Sequence, residues 1–159
     1  MNELYLQVTP YINEIDLLLI HALSTCYMAG LIWFVQLVHY PLFKRVGEES
    51  HLRYHSAHVY WTAWAVGPPM IIEALTTALL CLSPNFPSEL TYGGALCLAV
   101  IWLSTALIQV PCHDHLSRGF TEDIHRRLVR SNWIRCVGWS VRALTSLALL
   151  KSLMPLSSP

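Results

Sequence analysis

The chain has 159 residues, 54% hydrophobic and only 13% charged, with ten Lys plus Arg against ten Asp plus Glu. A mean hydropathy of +0.44 is too high for a soluble domain of this size, and the length allows one domain. The balanced charge gives no basic footprint for a nucleic-acid partner. Cys26, Cys81, Cys97, Cys112 and Cys136 form no CxxC pair and read as small membrane residues, not as a disulfide or zinc framework.

Residues 1–14 are polar, with Glu3 and Glu14 but no Lys or Arg, whereas a secretory signal opens on a basic region. The first apolar segment is therefore expected to be kept. It predicts a span over about 15–38, enough for a hydrocarbon core of about 30 Å. Pro41 should stop it, because the residue before a proline is pushed out of helical geometry. Residues 44–58 then read as a polar connector, with Lys44, Arg45, Arg53, His51, His55 and His58, part of it helical at the membrane surface.

A second span over about 60–82 opens on Trp61 and Trp64, as an aromatic belt would. It holds Glu73 and a Pro68-Pro69 pair that should kink it. The loop 83–88 leads to a third span, about 91–110. A second basic connector carries Arg118, Arg126, Arg127 and Arg130. Within it Thr121-Glu122-Asp123 starts a short amphipathic helix, its acids placed where the helix dipole favours them. The fourth span, about 133–153, contains Arg135 and Arg142, and Pro155–Pro159 is a frayed tail. The predicted fold is all-α: a four-transmembrane-helix bundle in a single domain.

The basic residues collect in the two connectors, which leaves only Lys151 near a helix end on the other face. The positive-inside rule then puts both connectors in the cytoplasm and both termini outside, in a cell inner membrane. The halves also echo each other. Ile32-Trp33 matches Ile101-Trp102, Pro41 matches Pro111, His55 matches His125, and Trp61 matches Trp133. This reads as a parallel two-hairpin repeat or as coincidence.

Four predicted helices place polar groups at one end: Gln36 and His39, then His55 and His58, then Gln109 and His113, then Asn132 and Arg135. His55 and His58 are neighbours on one helical face. Bundles build metal sites from facing helices, so His39, His55, His58 and His113 are candidate ligands for iron, copper or haem. The bland alternative is a set of interfacial histidines with no cofactor. His51 and His125 are expected at the surface. Glu73, Arg142 and His21 lie at membrane depth, where a charge normally faces the interior; Glu73 can pair with Arg142 structurally or with His21 in a proton relay. Ala29-Gly30, Gly93-Gly94 and Gly138 permit close helix approach.

The stretch Gln109-Val110-Pro111-Cys112-His113-Asp114-His115-Leu116 resembles the "NVPLNxxL" segment of small four-helix membrane proteins grouped with the fungal anthrone oxygenases. Asn132-Trp133-Ile134-Arg135 resembles their "WNxxR" element, and Gly30 to Pro41 their first span. The resemblance implies a membrane bundle and, for characterised relatives, oxidation of a phenolic polycyclic substrate by molecular oxygen. It carries over Gln109, Pro111, His113, Asn132, Trp133 and Arg135. Gln109 and His113 stand where Asn is usual, and His39 adds an imidazole.

The first reading is thus an oxidoreductase for an apolar aromatic or quinone-like substrate. His39 and His113 act as base or metal ligands, Arg135 and Asn132 hold an oxyanion, and Gln36, Gln109 and Trp133 contact a cofactor. The alternatives are a non-catalytic accessory subunit or permeation component, and a haem- or metal-binding bundle. Partners are the bilayer, an apolar small molecule, and another copy or a membrane complex.

Overall fold

The computed structural model describes residues 13–153; the opening polar segment and the expected tail lie outside them. Every regular element among the described residues is helical. Helix α1 (Glu14–Phe34) starts where the Asn13 side chain accepts the Asp16 N–H at 2.8 Å. It passes through a π-helical turn (Val35–His39) into α2 (Tyr40–Phe43). Helix α3 (Glu48–Leu82) comes next. Then α4 (Ser88–Ser104) runs through a second π-turn (Thr105–Gln109) into α5 (Val110–Leu116), and α6 (Glu122–Ser152) closes the chain. The result is four rods, with α1 beside α3, α3 beside α4, α4 beside α6 and α6 beside α1. Short connections between sequential neighbours make this an up-and-down bundle.

Three rods, Glu14–Phe43, Glu48–Leu82 and Ser88–Leu116, are long and apolar enough to cross a membrane. At 1.5 Å per residue the longest reaches about 50 Å, well past a hydrocarbon core of about 30 Å. The expected surface helices are therefore extensions of the rods. Residues 48–59 continue into the predicted second span without a break, and residues from 122 onward continue into the fourth.

Pro41 and Pro111 do not stop their helices. Tyr40 and Val110, the residues before them, stay in right-handed helical geometry. A proline ring clashes with the carbonyl four residues back and offers no N–H. The π-turn absorbs this by inserting one residue: the Tyr40 N–H reaches back five residues to Val35 O, and the Val110 N–H to Thr105 O. The two halves use this device at matching places, just before a proline. Helix α3 likewise runs through Pro68 and Pro69.

The bundle is apolar outside and partly polar inside. On α6 the buried side holds Arg135, Trp139, Arg142 and Ser146, while Val137, Val141, Leu144 and Leu147 are exposed. At mid-bundle Arg142 Nε donates to Glu73 Oε1 at 2.7 Å, and both residues are buried. Glu73 also accepts from Thr25 at 3.0 Å and from Trp139 Nε1 at 2.9 Å. Arg142 also donates to Thr77 and to the Gly94 carbonyl. All four rods meet in this one network. Of the two partners open to Glu73 in the sequence, Arg142 makes the ion pair, and His21 instead bonds Thr76 at 2.9 Å.

Apolar clusters fill the bundle on either side, one around Met28, Ile101 and Trp139, the other around Leu18, Leu80 and Phe86. Of the small residues, Gly138 is the tight one: a Cβ there would sit 2.7 Å from Ile101, whose side chain is fully buried. Gly30 and Gly93 have open space instead.

Removing one partner of a buried ion pair strands the other charge. Glu73→Gln or Arg142→Gln should each cost about 3–5 kcal/mol in detergent–SDS unfolding, and Glu73→Leu/Arg142→Met together less than either alone. In the same assay Gly138→Leu should cost about 1–3 kcal/mol through overpacking against Ile101.

Candidate lateral pocket and histidine cluster

A cavity of about 670 Å³ opens where α3 parts from the α4–α5 rod. Its back wall is Met28, Ile32 and Val35 of the first rod. Val59, Tyr60 and Val110 line it and are themselves exposed on the outer surface of the bundle. The mouth therefore faces sideways, between two apolar rods. Its surface is mostly apolar, and the polar residues around it include Tyr40, His55, His58, Gln109, His113 and Arg135, with Asp114 toward the connector. An apolar chamber with a handful of convergent polar groups is the usual form of a small-molecule site.

Arg135 is buried, its guanidinium carbon 5.3 Å from the centre of the Trp139 ring. Gln36 Oε1 accepts from Asn132 at 2.8 Å, which turns the Asn132 carbonyl toward Arg135 Nη1 at 3.3 Å. The Tyr40 side chain lies close enough to the guanidinium to interact with it electrostatically. The guanidinium Nε–H has no partner among the described residues. That nitrogen is sealed from solvent, so its missing partner is a cost to the fold. Gln109 is fixed by Ser104 and Ser131, each at 3.0 Å.

The four predicted imidazoles do come together, but they bond to one another. His39 Nε2 and His58 Nδ1 share a proton across 2.7 Å, and Thr62 lies 3.0 Å from the same His58 nitrogen. His55 Nε2 lies 3.3 Å from His113 Nδ1, and His113 Nε2 lies 3.1 Å from the Tyr40 hydroxyl. The His39–His58 contact is, at 2.7 Å, within hydrogen-bond distance. Among the described residues no three His, Cys, Asp or Glu side chains are placed to hold a metal ion. Where a metal among His39, His55, His58 and His113, or a haem iron between His39 and His58 or His113, was expected, the imidazoles form two hydrogen-bonded pairs, His39–His58 and His55–His113. Phe43, fully buried, packs edge-on against His39 and His58 and fixes their planes.

Other expectations also move. His51 and His125, expected at the surface, are buried. Each ties a helix to the opposite half: His51 Nε2 donates to Leu116 O at 3.1 Å, and His125 Nε2 to Tyr40 O at 2.8 Å. Each carbonyl lies at or near a helix end, and Leu116 O also accepts the Gly119 N–H at 3.3 Å. Trp133, expected at a cofactor, instead meets Trp33 edge to face at 5.5 Å on the outer surface. Asn132 and Gln36 act behind Arg135 and do not line the cavity.

Tyr40, Ser104, Ser131 and Thr62 are the participants that sequence reading passed over. Tyr40 carried one signal, its place beside Pro41 in a polar helix end.

No family model, no curated protein and no solved structure matches the chain. Function therefore rests on the chemistry of the pocket itself.

A bulky side chain at the mouth should close the pocket without disturbing its floor. Val59→Trp should abolish uptake of a fluorescent apolar probe into the protein in nanodiscs, whereas Leu96→Trp, exposed and not among the lining residues, should leave it unchanged. Equal uptake in both would place the entrance elsewhere.

Proposed function

We propose that the protein is a small integral-membrane oxidoreductase acting on an apolar phenolic or quinone-type ring that enters its pocket sideways from the bilayer. On this reading all four rods cross the membrane. Helix α6 is less apolar than the others because its first turns carry Glu122, Asp123, Arg126, Arg127 and Arg130 and its inner side Arg135 and Arg142, while its outer stripe of Val137, Val141, Leu144 and Leu147 suits lipid. The basic connectors face the cytoplasm and both chain ends face outward.

One observation carries the proposal: a sideways-opening apolar cavity with the buried Arg135 in its lining, beside a tyrosine–histidine contact. A fixed cation in a dry site stabilises a developing oxyanion far better than water does. Arg135 is the group that would hold the ring oxygen, with Asn132 and Gln36 keeping it aimed. Tyr40 and His113 are within hydrogen-bond reach of each other and would accept the proton that the ring releases.

With molecular oxygen as oxidant the balance closes for a tricyclic ring in its keto form. The ring loses two hydrogens, one oxygen atom becomes the new carbonyl, and the other leaves as water. The likeness of Gln109–Leu116 and Asn132–Arg135 to anthrone-oxygenase segments supports the same chemistry. No step is routed through a metal or haem, because the imidazoles as arranged bond one another.

Oxygen uptake and product absorbance, measured on protein in nanodiscs with an anthrone-type substrate, test this. Arg135→Gln should slow turnover by about 100- to 1000-fold, the usual loss for one oxyanion donor. Uptake unchanged by Arg135→Gln would sink the proposal. So would the absence of both uptake and ligand binding, leaving the reading of an accessory or permeation component.

A further inference from the structure

We infer that the pocket takes a ring system carrying an apolar chain, with the ring in its connector-side half and the chain in its inner half, running toward the middle of the bundle. The inference rests on the oxidation proposed above only for the ring being the part that reacts. Which end of a bound molecule lies where is a property of binding, with or without turnover.

The length of the pocket follows from the rods that border it. On the first rod the lining runs from Met28 to Tyr40, on α3 from His55 to Val66, and on the α4–α5 rod from Thr105 to Ser117. At about 1.5 Å per residue, each stretch covers roughly 16–18 Å along the bundle. The three rods agree, so the pocket is a slot parallel to the helices. They are also the three rods long and apolar enough to cross a membrane. The inner end of the slot, at Met28 and Val66, lies within about 10 Å of the level where Thr25 meets Glu73.

Side chains along the slot are sorted by kind. The aromatic ones, Tyr40, His55, His58, Tyr60 and His113, belong to its connector-side half and its middle. Inward of Thr62 on α3 and of Val35 on the first rod, the lining is Ala63, Val66, Ile32, Leu31 and Met28, all apolar and none aromatic. Thr105, at the inner end of its own stretch, turns its hydroxyl onto its own helix and donates to Ile101 O at 2.8 Å. The Thr62 hydroxyl is likewise engaged, 3.0 Å from His58 Nδ1.

Aromatic rings pack best against other rings, edge to face or offset, and ring oxygens need hydrogen-bonding partners. Both are found in the connector-side half, with Arg135 and Gln109 in the same lining. The inner half offers open-chain apolar side chains, which an alkyl or prenyl chain matches and a far aromatic ring does not. Lipid tails are as apolar as these walls, so the chain gains little by leaving the bilayer. Its contribution is geometric. A chain held parallel to the rods fixes the depth of the ring and turns the ring's leading edge toward Tyr40, His113 and Arg135. Leu31, Ala63 and Val66 are thereby the residues that select the chain.

Anthraquinone, chain-free or with a decyl chain, tests this by competitive binding to the protein in nanodiscs of one lipid composition. Ala63 is exposed, so Ala63→Trp puts an indole into the inner half without displacing core side chains. It should weaken decylanthraquinone by about tenfold or more, the scale of an overpacking clash, and leave anthraquinone unchanged. Taking the ratio of variant to unmodified protein for each ligand cancels partition into lipid. Equal effects on the two ligands would overturn the assignment. Independently of any variant, decylanthraquinone with a diazirine at the chain end should label Leu31, Ala63 or Val66. Labelling of Val59, Val110 or lipid instead would put the chain out through the mouth and sink the inference. So would a diazirine-tailed phospholipid that labels the inner residues undiminished by decylanthraquinone, since bulk lipid would then own that half. Chain-end labelling without oxygen uptake upholds the inference and removes the oxidation. Oxygen uptake on a chain-free anthrone without chain-end labelling does the reverse.

Discussion

The buried pair Glu73–Arg142 is the constraint on which the rest of the bundle depends. Two charges withdrawn from water are tolerated only when every donor and acceptor is satisfied. Here Thr25, Trp139, Thr77 and the Gly94 carbonyl complete the set. Those partners come from all four rods, so the rods have one rotational setting that satisfies the network. That setting puts Trp139 inward, and Arg135, one turn earlier on α6, lies over its ring. The mid-bundle pair therefore helps to fix where the pocket's cation sits.

The π-turns do the corresponding work at the pocket end. Each adds a residue where a proline would otherwise break the ladder, and each rotates the downstream residues relative to a plain helix. After the first, Tyr40 and Phe43 face the interior; after the second, Cys112 and Leu116 do. Buried His125 and His51 then hold the Tyr40 and Leu116 carbonyls. Proline, π-turn and histidine act as one device, used once in each half.

The pocket results from unequal packing. α1 and α6 are pressed together, with the Gln36–Asn132 amides and the Trp33–Trp133 rings between them. Close approach of α4 to α6 is permitted by the missing side chain at Gly138. α3 and the α4–α5 rod part beside the cavity and are joined again nearer the connectors by His51–Leu116 and His55–His113. The polar floor is held by the Gln36–Asn132–Arg135 and Ser104–Gln109–Ser131 hydrogen bonds, while the entrance is lined by exposed apolar side chains.

Much of this was legible in the sequence. Hydropathy located three of the rods, and the depth of Glu73 and Arg142 marked them as interior residues, because apolar blocks and isolated charges reflect the solvent that each segment can tolerate. The convergence of His39, His55, His58, His113 and Arg135 at one end could be read by counting along helices. What the sequence could not supply was partnership. Pro41 looked like a stop because local rules do not include an inserted π residue. His51 and His125 looked exposed because their carbonyl partners lie 65 and 85 positions away. The four imidazoles looked like metal ligands because spacing reports which face a ring is on, not which nitrogen meets which neighbour. Periodicity along one chain determined the rods and the level of each polar group; only the packing of rod against rod decided which groups touch, since those contacts join residues that no local pattern relates.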